Sequence, residues 1–167
     1  MTWGNPPKFV PTKPKQGKII QPEDLVTGSE DGEQMAVFCW SANNCGQYPM
    51  LKWLHAIPNG GSRHIAEATN MVAGGLRKGV PDICLPWPIT SQKLYLNGFG
   101  DGYNYKIYHG LYIELKIGKR RKEKNGGCSE EQLEWLDYLK LAGYYCDVCY
   151  GWEDARDTLI AYLEGKV

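Results

Sequence analysis

The sequence predicts an α/β fold in which helices flank a mixed sheet of four strands. This prediction depends on two observations. Amphipathic helical segments alternate with short apolar strand segments along the chain. One strand segment, 110–117, has a uniformly apolar face, as expected for a strand covered by helices. The length of 167 residues suits one domain with a sizeable core.

The chain begins with a segment that differs in composition from the rest. Residues 1–28 are rich in Pro and Lys and are expected to form a flexible arm, so that residues 29–167 make up the domain. Ser29 followed by acidic residues predicts the start of a helix that reaches about Asn43. The predicted core stripe of this helix consists of Met35, Phe38, Cys39 and Ala42.

The remaining elements continue the alternation of helix and strand. They are a strand over 51–57, a short helix over 65–73, a strand over 80–85, an aromatic hairpin or loop over 86–109, the strand over 110–117, a helix opened by Ser129 and stopped by Gly143, a strand over 144–150 and a helix over 152–163. Within the aromatic segment, Asn97-Gly98 is a strong signal for a two-residue hairpin turn.

The strand over 110–117 also carries the strongest chemical signal. Alternate side chains share a face, so Tyr112, Glu114 and Lys116 lie opposite the apolar face of the strand. A second carboxylate from Asp82 would give this cleft the ligands that a hard divalent cation such as Mg²⁺ or Mn²⁺ prefers. The lysine could position a water or stabilise a developing charge. The alternative is an ordinary surface strand, since many of these carry Glu and Lys.

The hairpin signal bears on whether the two carboxylates can meet. A turn at Asn97-Gly98 pairs Leu96 with Phe99 and leaves Asp82 one residue away from the position opposite Glu114. One β-bulge along the hairpin would bring both carboxylates onto one face. Two prolines in the first arm disfavour an uninterrupted ladder.

Basic residues cluster directly after this strand although the formal net charge at pH 7 is zero. The zero net charge counts against an indiscriminate nucleic-acid coat. The cluster is either a solvated loop or a phosphate-binding rim beside the proposed metal, and its members are Lys116, Lys119, Arg120, Arg121, Lys122 and Lys124. Further candidate phosphate contacts are Asn59, Arg63, Arg77 and Lys78.

Composition limits the other classes of function. The six cysteines fit a reduced, cytoplasmic setting. The pair Cys146-x-x-Cys149 has no second pair to complete a zinc site, which favours a buried strand with small apolar thiols. No apolar run is long enough to span a membrane, and no Gly-rich loop indicates a nucleotide cofactor.

Several strings occur together in an order that resembles the VRR-NUC family of the PD-(D/E)XK nuclease superfamily. They are Ser29-Glu30 with Gln34, Ala56-Ile57-Pro58-Asn59-Gly60-Gly61, Gly79-Val80-Pro81-Asp82, His109 to Lys116, Ser129-x-x-Gln132-x-x-Trp135-Leu136, Gly143-Tyr144 and Val148 to Ala155. The resemblance covers about residues 29–163. It implies a restriction-endonuclease-like core, although the segment 86–109 is long for a compact family member.

The resemblance also implies roles for individual residues. Asp82, Glu114 and the Leu115 carbonyl would be metal ligands, and Lys116 would be catalytic. A carboxylate from the first helix would assist, with Glu30 as the first candidate and Glu33 as its substitute. A glutamine, Gln132, would face the site, whereas the sequence pattern alone also predicts that it closes a capping box with Ser129.

The activity implied by the resemblance is metal-dependent cleavage of branched or otherwise structured DNA. Small stand-alone members of the family are phage or bacterial proteins that act as homodimers and can cut four-way Holliday-type junctions. A dimer contact is expected from part of the aromatic set Trp87, Tyr95, Phe99, Tyr103, Tyr105 and Tyr108, together with the first helix. The alternatives are a flap nuclease, a sequence-specific restriction-type nuclease, or a DNA-binding module with a vestigial site.

Overall fold

A computed structural model describes residues 20–58, 70–96 and 101–167, with side chains for all of these except 92–96 and 101–104. Three α-helices lie wholly within the described residues, α1 (Glu30–Asn44), α2 (Glu130–Leu141) and α3 (Trp152–Leu163). Residues 70–73 are also helical, and the rest of the short helix predicted over 65–73 lies outside the described residues. The strands are β1 (His55–Ala56), β2 (Ile83–Leu85), β3 (Ile89–Leu96), β4 (Asp101–Tyr108), β5 (Leu111–Lys116) and β6 (Tyr145–Tyr150). Four 3₁₀ helices are also described, over Pro22–Leu25, Pro49–Trp53, Gly118–Lys122 and Lys124–Gly127.

The central sheet has four strands in the order β1-β2-β5-β6. Strand β5 runs antiparallel to β2 and parallel to β6, so the sheet is mixed. Strands β3 and β4 form a separate two-stranded sheet that extends from the ends of β2 and β5. The predicted fold class, a mixed four-stranded sheet flanked by helices, is therefore confirmed.

Helices cover the two faces of the central sheet. On one face, Ile113 and Leu115 of β5 pack in the main core with buried residues of α1 and α3, among them Val37 and Leu159. On the other face, Leu136 and Leu139 of α2 pack with Cys146 and the half-buried Tyr112. The predicted division of β5 into an apolar face and a face that carries Tyr112 is confirmed.

The part of the predicted N-terminal arm that the structure describes is residues 20–28. It includes a 3₁₀ turn in which Pro22 is buried and Leu25 packs against the main core. Residues 1–19, to which the prediction of flexibility mainly applies, lie outside the described residues. No helix within the described parts of the chain is long and apolar enough to cross a membrane.

Helix α1 begins where the sequence predicts, since the Ser29 hydroxyl accepts a hydrogen bond from the Gly32 amide. Its predicted core stripe is wrong. Met35 is 50% exposed and Ala42 is also exposed, while Phe38 and Cys39 are only half-buried. The buried stripe has helical spacing and consists of Glu33, Ala36, Val37, Trp40 and Ser41. The sequence pattern misled because two members of the true stripe are polar.

The predicted first strand over 51–57 is also wrong in its first half. Residues Pro49–Trp53 form a 3₁₀ helix, and only His55–Ala56 pair with β2. Leu51 and Leu54 are 2% and 8% exposed, respectively, and their spacing of three matches the 3₁₀ repeat. The two buried leucines therefore come from a helical turn and not from one face of a strand.

The hairpin has a different register from the predicted one. Leu96 pairs with Asp101, so the connection is residues 97–100, which the structure does not describe, and not a two-residue turn. In the central sheet Ile83 pairs with Ile113. Between the β2–β5 ladder and the β3–β4 ladder, three residues (86–88) lie on one arm and two residues (109–110) on the other. This difference offsets the registers of the two ladders by one residue. The predicted bulge is thus present beside the prolines, and it aligns Asp82 with Glu114.

The six cysteines are free thiols. Cys146 and Cys149 are both buried, and burial raises the pKa of each thiol to about 12. Their odd spacing on β6 sends them to opposite faces, with Cys149 in the main core and Cys146 beside α2. The pair is therefore part of the packing, as predicted, and does not form a zinc or redox site.

Candidate active site

The site lies where the segment before β2 meets β5. The carboxylate of Asp82 accepts a hydrogen bond from the Leu115 amide, with an oxygen–nitrogen distance of 2.8 Å. This contact holds Asp82 beside the end of β5 that carries Glu114, whose side chain is 0% exposed. The antiparallel register of β2 and β5 therefore brings two carboxylates together from positions far apart in sequence.

Glu114 is held on one side by two donors. Its Oε1 accepts hydrogen bonds from Lys116 Nζ at 2.6 Å and from the side-chain amide of Gln132. Gln132 Oε1 also accepts the Ser129 amide at 2.9 Å, so this glutamine closes the predicted capping box and contacts Glu114 at the same time. Glu114 Oε2 is buried and accepts no hydrogen bond from a described residue.

Glu114 and Lys116 both have shifted pKa values. Burial and the negative charge of Asp82 raise the pKa of Glu114 to about 8, against the opposing effect of Lys116. Burial lowers the pKa of Lys116, but the hydrogen bond and charge of Glu114, with smaller contributions from Glu30 and Asp82, raise it above its ordinary value. The cluster thus holds more carboxylates than its one buried ammonium group can neutralise, and in the metal-free chain Glu114 keeps its proton up to about pH 8.

These residues fit a divalent cation of the magnesium type. Two adjacent carboxylates and a buried carboxylate oxygen without a donor offer ligands to a hard cation. Within residues 20–58, 70–96 and 101–167, no group of three or more His, Cys, Asp or Glu side chains could hold a metal. Mg²⁺ often takes only one or two carboxylates and completes its shell with water and substrate phosphate, so the pair Asp82 and Glu114 is a sufficient protein contribution.

The two acids proposed from the first helix have different environments. Glu33 is 9% exposed, and its Oε2 accepts the Trp152 amide at the start of α3, 2.8 Å away. Glu30 is 40% exposed and points to the site, where its Oε1 lies 3.9 Å from Lys116 Nζ and 3.3 Å from an Arg120 nitrogen. The structure therefore brings Glu30, and not Glu33, to the proposed catalytic residues.

We expect Glu33→Ala to lower the free energy of unfolding by about 1–3 kcal/mol, because the buried amide at the start of α3 loses its acceptor. Glu30→Ala serves as the matched control on the same helix and should change stability by less than about 1 kcal/mol, since its ion pairs are partly exposed. Urea unfolding of both variants measures the difference. Equal stability losses would contradict the assignment of separate roles.

A cleft of about 640 Å³ opens beside Lys116. Its walls include predicted site residues, namely Glu30, Arg77, Lys78, Lys116, Arg120 and Gln132. They also include Lys124 of the basic cluster and Ser129 of the capping box, together with residues to which the sequence analysis gave no role, namely Gly79, Glu123, Gly127 and Cys128. The run Asn125-Gly126-Gly127, with positive φ at each residue, is the sequence signal for the tight turn that forms this wall.

The side chains predicted to contact phosphate differ in whether they already form ion pairs with carboxylates of the protein. Lys119 and Lys122 are exposed and form no ion pair with a described residue. Arg121 pairs with Asp154 at 2.8 Å and lies over the Tyr150 ring. Arg120 pairs with Glu30 and Glu123, and Lys78 pairs with Glu131, whereas Arg77 is exposed. Asn59 and Arg63 lie outside the described residues.

The sheet, its flanking helices and the position of the acidic cluster define a restriction-endonuclease-like α/β core. Among solved structures, a VRR_NUC domain protein is similar, with a TM-score of 0.57 and 22% sequence identity over 81% of this chain and 88% of that chain. The predicted resemblance is thus confirmed as a likeness of fold. Neither a family model nor a curated protein matches the sequence.

Proposed function

We propose that this protein is a metal-dependent endodeoxyribonuclease of the VRR-NUC type that cuts branched DNA, with four-way junctions as its main substrate. One observation carries the proposal. Asp82, Glu114 and Lys116 meet as a buried cluster beside a cleft with basic walls, on a fold shared with a VRR_NUC domain protein. A vestigial DNA-binding module has no need to keep a costly buried carboxylate–ammonium cluster.

The chemistry follows from the donors present. Asp82, Glu114 and the Leu115 carbonyl would hold Mg²⁺ or Mn²⁺, which polarises a phosphate and lowers the pKa of a bound water. Lys116 would stabilise the charge that develops on the phosphate during attack, because its buried ammonium is already fixed by Glu114. Gln132 would fix the orientation of Glu114. In-line attack would leave a 5′-phosphate and a 3′-hydroxyl.

The deciding experiment compares DNA substrates of matched sequence with purified protein. Four-way junctions, flaps, splayed arms and linear duplex are incubated with Mg²⁺, with Mn²⁺ and with a chelator. Metal-dependent cleavage of junctions ahead of the other substrates supports the proposal. Preference for flaps, or cutting of duplex at one sequence, would favour the flap or restriction-type alternative. Binding without cleavage of any substrate would indicate a DNA-binding module.

The free lysines of the basic segment provide a test of DNA binding. Neutralising Lys119, Lys122 and Lys124 together should weaken DNA binding and lower the slope of log affinity against log salt by about one unit per lost phosphate contact. Arg121→Ala is the matched control, because this arginine is already paired with Asp154 and should leave the slope nearly unchanged. An unaltered slope in the lysine variant would mean that the basic segment is a solvated loop that does not contact phosphate.

A homodimer would suit the proposed substrate, because two metal centres related by a two-fold axis can cut both strands of a two-fold junction. Exposed apolar side chains support this. Tyr105 and Ile107 share one face of β4 and are 62% and 64% exposed, and Trp87 is 38% exposed. Tyr108 is buried within the protomer and does not contribute. Phe99 and the side chains of Tyr95 and Tyr103 lie outside what the structure describes.

We expect light scattering at micromolar concentration to show about twice the chain mass. Tyr105→Lys with Ile107→Lys should convert this species to a monomer, because it places charge on the proposed contact. Tyr138→Lys, at an exposed tyrosine of α2, is the control and should leave the mass unchanged. A wild-type monomer that cuts junctions at paired positions would overturn the dimer. We further propose a cytoplasmic location, which the free cysteines support, and a bacterial or phage origin, which the family resemblance alone supports.

A further inference from the structure

Arg120 reaches from the basic segment across the cleft to α1. Its Nη1 lies 3.3 Å from Glu30 Oε1, and its Nε lies 3.0 Å from Glu123 Oε2. The guanidinium is thus shared between two carboxylates, and the side chain is only 34% exposed. These contacts use two of its five N–H donors, but they hold the guanidinium between two carboxylates, whose negative charge disfavours the approach of a phosphate.

Gly127 lies against the Arg120 side chain from another direction. Its φ is +78°, and a Cβ at this position would lie 2.8 Å from both Cβ and Nε of Arg120. Only a glycine backbone can approach the arginine this closely, because any other residue would place its Cβ against the Arg120 side chain. This contact is independent of the ion pairs, and the absence of a Cβ leaves the room that Arg120 occupies when it meets Glu30.

The Glu30 oxygen that pairs with Arg120 also faces the catalytic cluster. Glu30 Oε1 lies 3.9 Å from Lys116 Nζ, and Lys116 Nζ lies 2.6 Å from Glu114 Oε1. A continuous series of charges therefore runs from Arg120 through Glu30 and Lys116 to Glu114. Lys116 is 3% exposed, so its charge depends on these carboxylates and not on water.

We infer that Arg120 is a positioning residue that holds Glu30 against Lys116, and that it is not a phosphate contact. The inference rests on the proposed nuclease function. A cation bound to Glu114 competes with Lys116 for that carboxylate, so the buried ammonium then needs a second anion. Glu30 can supply it only if its 40% exposed side chain stays ordered. The 3.9 Å contact with Lys116 orders that side chain poorly by itself, whereas Arg120, which is also anchored to Glu123, adds a second and shorter contact to the same oxygen.

The sign of an effect on metal affinity separates positioning from simple charge. If only charge mattered, removal of a positive charge near the site should strengthen Mn²⁺ binding, because a Coulomb repulsion of the cation is lost. If Arg120 positions Glu30, then Arg120→Ala should instead weaken binding several-fold, as should Glu30→Ala, and the double variant should be no weaker than either. Arg120→Lys keeps the charge but not the fork, so it should show the same loss.

Calorimetric titration of the metal-free full chain with Mn²⁺ measures these affinities, and thermal unfolding verifies that each variant is folded. Arg121→Ala is the control, since that arginine belongs to the same turn but pairs with Asp154. Unchanged or tighter Mn²⁺ binding by Arg120→Ala would overturn the inference, as would a wild-type chain that does not bind Mn²⁺. Binding of Mn²⁺ without cleavage of any DNA would instead count against the proposed function alone.

Kinetics on a four-way junction give a second readout. Arg120→Ala should lower kcat by about tenfold while the Kd for DNA and its salt dependence stay unchanged, because the arginine acts through Glu30. In the Glu30→Ala background the same change should have no further effect on kcat. A weaker Kd with a salt slope reduced by about one unit would make Arg120 a phosphate contact and overturn the inference.

Discussion

Asp82→Asn, Glu114→Gln and Lys116→Met should each reduce cleavage by about three orders of magnitude or more, with the fold intact. The first two remove a carboxylate charge at nearly constant shape, and the third removes the ammonium that Glu114 holds at 2.6 Å. Asp82→Asn and Glu114→Gln should also weaken Mn²⁺ binding in calorimetry. Lys116→Met should not, because it removes a competitor for the Glu114 carboxylate.

The control for these variants is Asp137→Asn, the same chemical change at an exposed position on α2. It should retain wild-type cleavage and metal affinity. Circular dichroism and thermal unfolding establish that each variant is folded, so that a loss of activity reports on chemistry. Full activity in Asp82→Asn or Glu114→Gln would remove the basis of the proposed site.

The metal-free protein should become less stable as the pH rises from about 4.5 to about 8. The pKa of Glu114 is raised to about 8 in the folded chain, mainly by burial and by the charge of Asp82, against 4.5 as its ordinary value. Between these values the folded chain binds a proton that the unfolded chain has lost, so stability falls with increasing pH. The contribution of Glu114 to the free energy of unfolding is fully present below pH 4.5 and is lost as the pH rises through 8. The total loss is on the order of a few kcal/mol.

Urea unfolding in the presence of a chelator at pH 5.5 and at pH 8 measures this decline. Glu114→Gln cannot titrate at this position and should not show it. Added Mg²⁺ should restore more stability at pH 8 than at pH 5.5, because cation binding must displace the proton at the lower pH. A metal-free wild type that is equally stable at both pH values would mean that Glu114 is ionised throughout.

The sequence predicted best those features that depend on local repeats. The two faces of β5 follow from the period of two, and the start of α2 follows from the capping box of Ser129 and Gln132. Local rules failed where tertiary contacts decide. The stripe of α1 includes Glu33, which is buried only because the start of α3 needs an acceptor.

Long-range relations in the site were also beyond sequence reasoning. Arg120 and Glu30 are separated by 90 positions, and no periodicity connects them. The sequence does not distinguish the members of the basic run, yet the structure holds Lys116 and the two arginines against carboxylates, whereas Lys119 and Lys122 form no ion pair with a described residue. The one-residue offset between the ladders was predicted only as a possibility, because Pro86 and Pro88 signal irregularity without fixing its size.

The double role of Gln132 constrains how this protein can be engineered. A designer who wished to strengthen the start of α2 would choose Glu at this position, since a carboxylate closes a capping box and favours a helix N-terminus. Here the same change would set a third carboxylate against Glu114 and withdraw an amide donor from its Oε1. Under the proposed function, helix stability and turnover therefore cannot be optimised separately at residue 132, because a gain in helix stability would be offset at the proposed catalytic carboxylate.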